Sequence, residues 1–386
     1  MKPSAHPFWS VGFRPFFTLV ILAGMTLPML WALIYAGIIP APAHTFSIVQ
    51  WHAHEMFFGF GWAVLGGFLL TATRNWVQVR GYHGHVLMFL AAAWLFERVG
   101  MWFEGVWPPL LFYVSNNLFL GSIVAALLWT LIRNRKTDSY RDNFFFLLIL
   151  PVFLLAKNLM LSADYFQAGV SMALGLFRVA FLVMLERTLY HFMKGAFQVE
   201  IMRNPLLDMA IKLLALLLVF AGLLPAQAAG GIALLLAVLL AGRLVYWKPQ
   251  LAMRRLDIGI MYLGYLAIVA QLAIESFMLA TDSAWLASMS IHVFTFGAMG
   301  LIIPAMLVRI SKGHTGRKVT FDALDKLALY LMMLAFVFRI FAPQVYPAGY
   351  TAWISLSASC WFVCFAMLGG RYIPMLRLPR ADGKEH

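Results

Sequence analysis

WHAHEMFFGFGWAVLGGFLLTATRNW, residues 51–76, opens with His52, His54 and Glu55 and then carries no charge until Arg74. An apolar run of about twenty residues is what a helix needs to cross the hydrocarbon core of a bilayer. Ionisable side chains at the mouth of such a helix must offset their desolvation, through a metal, a cofactor or a proton path. The stretch therefore reads as one wall of a metal or heme site.

The rest of the chain has the same character. Of its 386 residues 62% are hydrophobic and 12% charged, with a mean hydropathy of +0.82, whereas charged residues make up about a quarter of a soluble protein. This predicts an all-α, polytopic integral membrane protein, a single transmembrane domain over 1–386. Twelve transmembrane helices are expected near 16–38, 51–73, 85–103, 109–132, 143–162, 167–191, 206–224, 228–247, 257–279, 285–308, 322–341 and 350–371.

Basic residues support this division, because they collect in cytoplasmic loops. Arg74 and Arg80, then Arg133, Arg135, Lys136 and Arg141, then Lys194 and Arg203, fall in alternate connections. So do Arg243, Lys248, Arg254 and Arg255, then Arg309, Lys312, Arg317 and Lys318. The intervening connections near 39–50, 104–108, 163–166, 225–227, 280–284 and 342–349 hold no Lys or Arg. N-terminus and C-terminus are thus expected in the cytoplasm. Lys2 and Arg14 form a weak basic start, but the apolar stretch that follows outruns the 7–15 residues of a signal peptide and reads as an uncleaved first helix. The net charge of +13 reports this asymmetry, and no nucleic acid partner is inferred. The lone pair of cysteines, Cys360 and Cys364, rules out a disulfide framework and reads as apolar packing on one helical face, with Cu(I) as the alternative.

Orientation turns position into depth. His52, His54 and Glu55 lie at the outer mouth of helix 2, and His292 about two turns into helix 10. Glu97, Arg98, Asn116, Asn117, Lys157, Asn158, Gln271, Glu275 and Arg339 share that layer, as if lining one hydrated or cofactor-filled cavity. His54 and His292 are each followed by Phe-Gly at the fourth and fifth positions, in HEMFFG and HVFTFG, so both are candidates to ligate one iron, with the glycines leaving room for a flat macrocycle. His52 and His54, two apart, point to different sides of a helix. Either can serve heme and the other a second metal or a hydrogen bond, with Glu55 one turn from His52 to orient it. Arg178, in mid-helix, needs a carboxylate from another helix or a heme propionate. His191 reads as a helix-terminal residue near headgroups, His83, His85 and His314 as loop caps, and His6, His44 and His386 as solvent-exposed.

GFRPFF (12–17), WHAHEMFFGF with GGFLLTATRNW, and HVFTFGAMG followed by RISKGHTGR (309–317) together resemble the NnrS family. That resemblance implies a bacterial inner-membrane protein that binds heme b and copper and acts in the response to nitric oxide and nitrosative stress. A heme near the periplasmic face would then bind or turn over nitric oxide or another small diatomic ligand, or relay electrons from a donor the sequence does not identify. Twelve spans with histidines on helices 2 and 10 are also similar to the catalytic subunit of heme-copper oxidases. A binuclear centre of that type is not expected, because 206–224 contains no His and helix 6 no His-Pro-Glu. The alternative from another class is a secondary transporter or exporter of a metal or heme. Its sites usually lie near the midplane, whereas this polar layer lies nearer one face.

Overall fold

The computed structural model describes residues 3–384; Lys2 and His386 lie outside them. Twelve of its helices are long and apolar enough to cross a membrane. These are α1 Phe13–Tyr35, α2 Ile48–Trp76, α3 His85–Val106, α4 Pro109–Arg133, α5 Phe144–Leu161 and α6 Phe166–Phe197. They continue as α7 Pro205–Leu223, α8 Ala226–Tyr246, α9 Leu256–Thr281, α10 Ala287–Gly313, α11 Ala323–Val345 and α12 Pro347–Arg377. The chain is a multi-pass membrane protein of the expected all-α class.

The ends differ from the apolar windows in a consistent way. A helix keeps its backbone paired internally whatever its side chains are, so α6 runs past His191 to Phe197 and α10 past Val308 to Gly313. His191 is therefore not at a helix end; its exposed ring meets Tyr190 edge-on at 5.5 Å. At the start of α2, Ser47 and Gln50 form a reciprocal cap, the Gln50 N–H donating to Ser47 Oγ (3.2 Å) and the Ser47 N–H to Gln50 Oε1 (2.8 Å). Gln50 Nε2 also donates to the carbonyls of Met160 and Ser162, at 3.3 and 3.2 Å, which fixes the first turn of α2 against the end of α5. His54 lies one turn further on.

The chain packs as two compact units. The first comprises residues 1–169, 307–320 and 361–386, the second residues 170–306 and 321–360. In the first, α1 lies close on α2: a Cβ on Gly67 would stand 2.5 Å from that of Phe16, and the Phe13 N–H donates to Thr71 Oγ1 at 2.9 Å. Arg14, within GFRPFF, is wholly buried and donates to the carbonyls of Leu376 and Leu378 at 2.8 and 2.6 Å, capping the end of α12.

In the second unit α9 packs along α8, and the buried Arg243 donates to Asp208 Oδ1 (3.1 Å) and to the Tyr265 hydroxyl (3.0 Å). Lys212 and Arg203 reach Glu186 Oε1 at 3.1 and 2.8 Å. Arg243 is thus a helix residue inside an ion network rather than the loop cation its place in the sequence suggests.

Candidate functional site

Both α2 and α10 loosen into a seven-residue π-helical segment, Glu55–Gly61 and Val293–Met299, each beginning on the residue after a candidate histidine. A π-turn inserts a residue into the α-helical register, re-aims neighbouring side chains, and occurs often at functional sites. Each unit therefore holds one histidine at such a junction, with an arginine from the following helix beside it.

In the first unit, His54 is fully enclosed and its Nε2–H donates to Asn116 Oδ1 at 2.9 Å, as assigned from the hydrogen-bond network. Arg98 of α3 spans two carboxylates, Nη1 to Glu55 Oε1 and Nη2 to Glu97 Oε1, both at 2.8 Å. Lys157 of α5 pairs with the same Glu97 oxygen and donates to the Asn116 carbonyl. Glu55, Glu97 and Lys157 are buried with His54, and the Arg98 side chain is 12% exposed. Two carboxylates thus face two cations, and the cluster is neutral while His54 is neutral. Such an arrangement tolerates burial because each charge has a partner; removing one leaves another bare.

Among the enclosed atoms of this cluster that have no hydrogen-bond partner are His54 Nδ1, Glu97 Oε2 and Arg98 Nε. His54 Nδ1 instead faces Glu55 Oε1 at 3.5 Å. With Nε2 carrying the ring proton, Nδ1 presents a lone pair to a carboxylate oxygen, and a cation near either atom would relieve that opposition.

The sequence places Glu55 with His52, but the structure brings it to His54 and Arg98. His52 points elsewhere, its ring stacked on Trp31 at 4.2 Å. Asn117 and Asn158 are paired at 3.0 Å on an exposed face, apart from the buried cluster.

In the second unit His292 Nδ1–H donates to the Ser288 carbonyl at 2.7 Å, which turns Nε2 toward Arg339 Nη2 at 3.2 Å. Arg339 Nη1 donates to the Tyr350 hydroxyl at 3.1 Å. Nearby in the chain, Ser290 Oγ accepts from Gln271 Nε2 (3.2 Å), and Gln271 and Glu275 accept from Arg178 Nη1 at 2.9 and 2.6 Å. Of the two partners considered for Arg178, the structure supplies the carboxylate. The polar residues named in the sequence thus include one network in each unit.

Space beside the two Phe-Gly glycines is already filled. A Cβ on Gly59 would collide with Arg98 Nη1, and one on Gly297 would stand 2.5 Å from the Ala267 Cβ and 3.0 Å from the Phe336 ring. These glycines admit side chains from neighbouring helices, where room for a macrocycle was expected.

The other described histidines lie apart from these two clusters. His44, expected in solvent, is half-buried with Nε2 at 2.8 Å from the Met101 carbonyl; burial lowers its pKa, although that carbonyl and Glu104 pull the other way. His314 packs on the Phe13 ring at 5.4 Å, and burial, then Arg380 and Arg74, lower its pKa. His83 Nδ1 bonds the Gly81 carbonyl at 3.0 Å within its loop, His85 begins α3, and the exposed His6 caps the Phe8 N–H at 3.1 Å.

Fold and site together define a polytopic membrane protein with ion clusters enclosed around its histidines. The chain matches the NnrS protein family over residues 7–380 and belongs to it. Membership assigns it, at family level, to the response to nitric oxide and to proteins associated with heme or metal binding. No curated protein matches the chain.

Proposed function

We propose that this protein binds heme b and acts on nitric oxide or passes electrons in the nitric oxide response, with His54 of the first unit and His292 of the second as iron ligands, each taken within its own unit. The observation that carries the reading is the enclosed His54 Nδ1, a ring nitrogen with no hydrogen-bond partner in a cluster where every charge is matched. His292 suits the same role once its Nε2 exchanges Arg339 for iron: a histidine ligand ordinarily donates its other ring N–H to a carbonyl or carboxylate, as His292 does to Ser288. A heme needs only one or two axial ligands from protein and, when bound, supplies iron that takes up the gas or an electron.

The chain's own residues set the charge and the tautomer at His54. Asn116 fixes the tautomer of His54, Glu55 and Glu97 favour positive charge beside it, and Arg98 and Lys157 hold those carboxylates in place. In the second unit Arg339 is the cation suited to a heme propionate, Arg178 being already held by Gln271 and Glu275. The alternation of basic loops supports a location for these histidines toward the periplasmic side of a bacterial inner membrane.

Copper fits less well. Among the described residues no three His, Cys, Asp or Glu side chains converge as a metal set, and Cys360 and Cys364 are free thiols. No role is derived for it.

Optical spectra of the purified protein with and without nitric oxide test the reading. A b-type spectrum that shifts with the gas supports direct binding, and one that does not supports electron relay. A colourless, iron-free preparation from heme-replete cells overturns both.

A further inference from the structure

Where α2 ends at Trp76 and α4 ends at Arg133, the first unit carries a half-open cavity of about 270 Å³. Arg74, Arg80, Arg133, Tyr82, Trp129 and Thr130 line it, above a floor that includes Leu70 and Leu127; no acidic side chain takes part. Among the described residues, none of the three arginines has a carboxylate partner, unlike the buried arginines of both ion networks. Arg133 lies over the ring of Trp129 at 5.5 Å, and that ring is 62% exposed, as is Ile132 beside it. The loop that closes the cavity is fixed rather than loose. The Tyr82 hydroxyl donates to the Ala126 carbonyl at 3.0 Å and lies 3.0 Å from Thr130 Oγ1, while Gly81 lets the backbone lie against the Arg74 stem.

We propose that this cavity is a binding site for a phosphate group at the membrane surface, supplied by an anionic phospholipid headgroup or by free phosphate. Guanidinium groups match phosphate oxygens in geometry and charge, and three of them around one cavity without a carboxylate favour an anion. A phosphate occupies the volume of only two or three waters, so the cavity admits it with part of a headgroup. The apolar floor and the exposed Trp129 and Ile132 suit the glycerol and first acyl carbons, and an aromatic ring at this level is usual for the interface. Basic pockets between membrane helices at the cytoplasmic surface take acidic headgroups on the same grounds.

The test uses the full-length protein, stripped of lipid in detergent. Retention in native mass spectrometry and thermal unfolding are followed with phosphatidylglycerol, phosphatidylcholine and inorganic phosphate. Retained phosphatidylglycerol that raises Tm, without an effect of phosphatidylcholine, identifies a lipid phosphate; stabilisation by inorganic phosphate alone identifies the free anion. Arg80→Gln and Arg133→Gln change exposed side chains and each should weaken binding about fivefold, the share of one surface arginine. On wild type, added salt should weaken binding progressively. Equal retention of both lipids with no effect of inorganic phosphate, or variants that bind as wild type does, would overturn the site.

Discussion

Arg98 holds Glu55 at 2.8 Å across the gap between α3 and α2, one residue beyond His54. Its other terminal nitrogen holds Glu97 at the same distance, so one guanidinium bridges two buried carboxylates. Replacement by methionine would leave two enclosed carboxylates facing only Lys157. Arg98→Met should lower unfolding free energy by about 3–5 kcal/mol, whereas Arg98→Lys, which cannot span both carboxylates, should recover only part. Thermal unfolding in detergent checks both; a methionine variant as stable as wild type would show the cluster to be dispensable.

Gly59 leaves the room that the guanidinium fills. Gly59→Ala should force Arg98 from its position and cost about 1–3 kcal/mol through overpacking. The double variant Gly59→Ala with Arg98→Ala should lose less than the sum of the two single changes, since the clash disappears with the side chain. Strict additivity would argue that the two residues do not meet.

His314 gives the fold a dependence on pH. Burial, Arg380 and Arg74 lower its pKa below the ordinary 6.5, so the unfolded chain binds a proton more readily than the folded one. Its contribution is complete above pH 6.5 and declines as pH falls toward the folded value. His314→Gln should therefore flatten the loss of Tm on acidification below pH 6.5. A steeper loss in the variant would contradict the assignment.

Arg178 and Glu275 form a buried pair at 2.6 Å in the second unit. Arg178→Met alone should cost about 3–5 kcal/mol and the double change with Glu275→Leu distinctly less, because a pair removed whole leaves no bare charge. If the double variant is the less stable of the two, the pair is stabilising beyond this balance.

How far the sequence carries can be judged from these residues. The twelve spans were legible because apolar length and basic alternation are additive along the chain. The Phe-Gly pairs after His54 and His292 marked both π segments without revealing them, since seven residues of altered register leave no periodic signal. Partners were not legible: Glu55 is adjacent to His54 in sequence but is held by Arg98 from the next helix. Arg14 and Arg243 read in the sequence as cations of the chain's basic edges, and both are enclosed. Counting charge locates a side of the membrane; it does not say which charge is buried against which.

The most direct measurement is the heme content per chain of purified wild type beside His54→Ala and His292→Ala, by pyridine hemochrome and iron analysis. The account predicts a b-type heme in wild type that falls sharply in both variants while they remain folded. Wild type without heme, or both variants with full content and an unchanged spectrum, would contradict it.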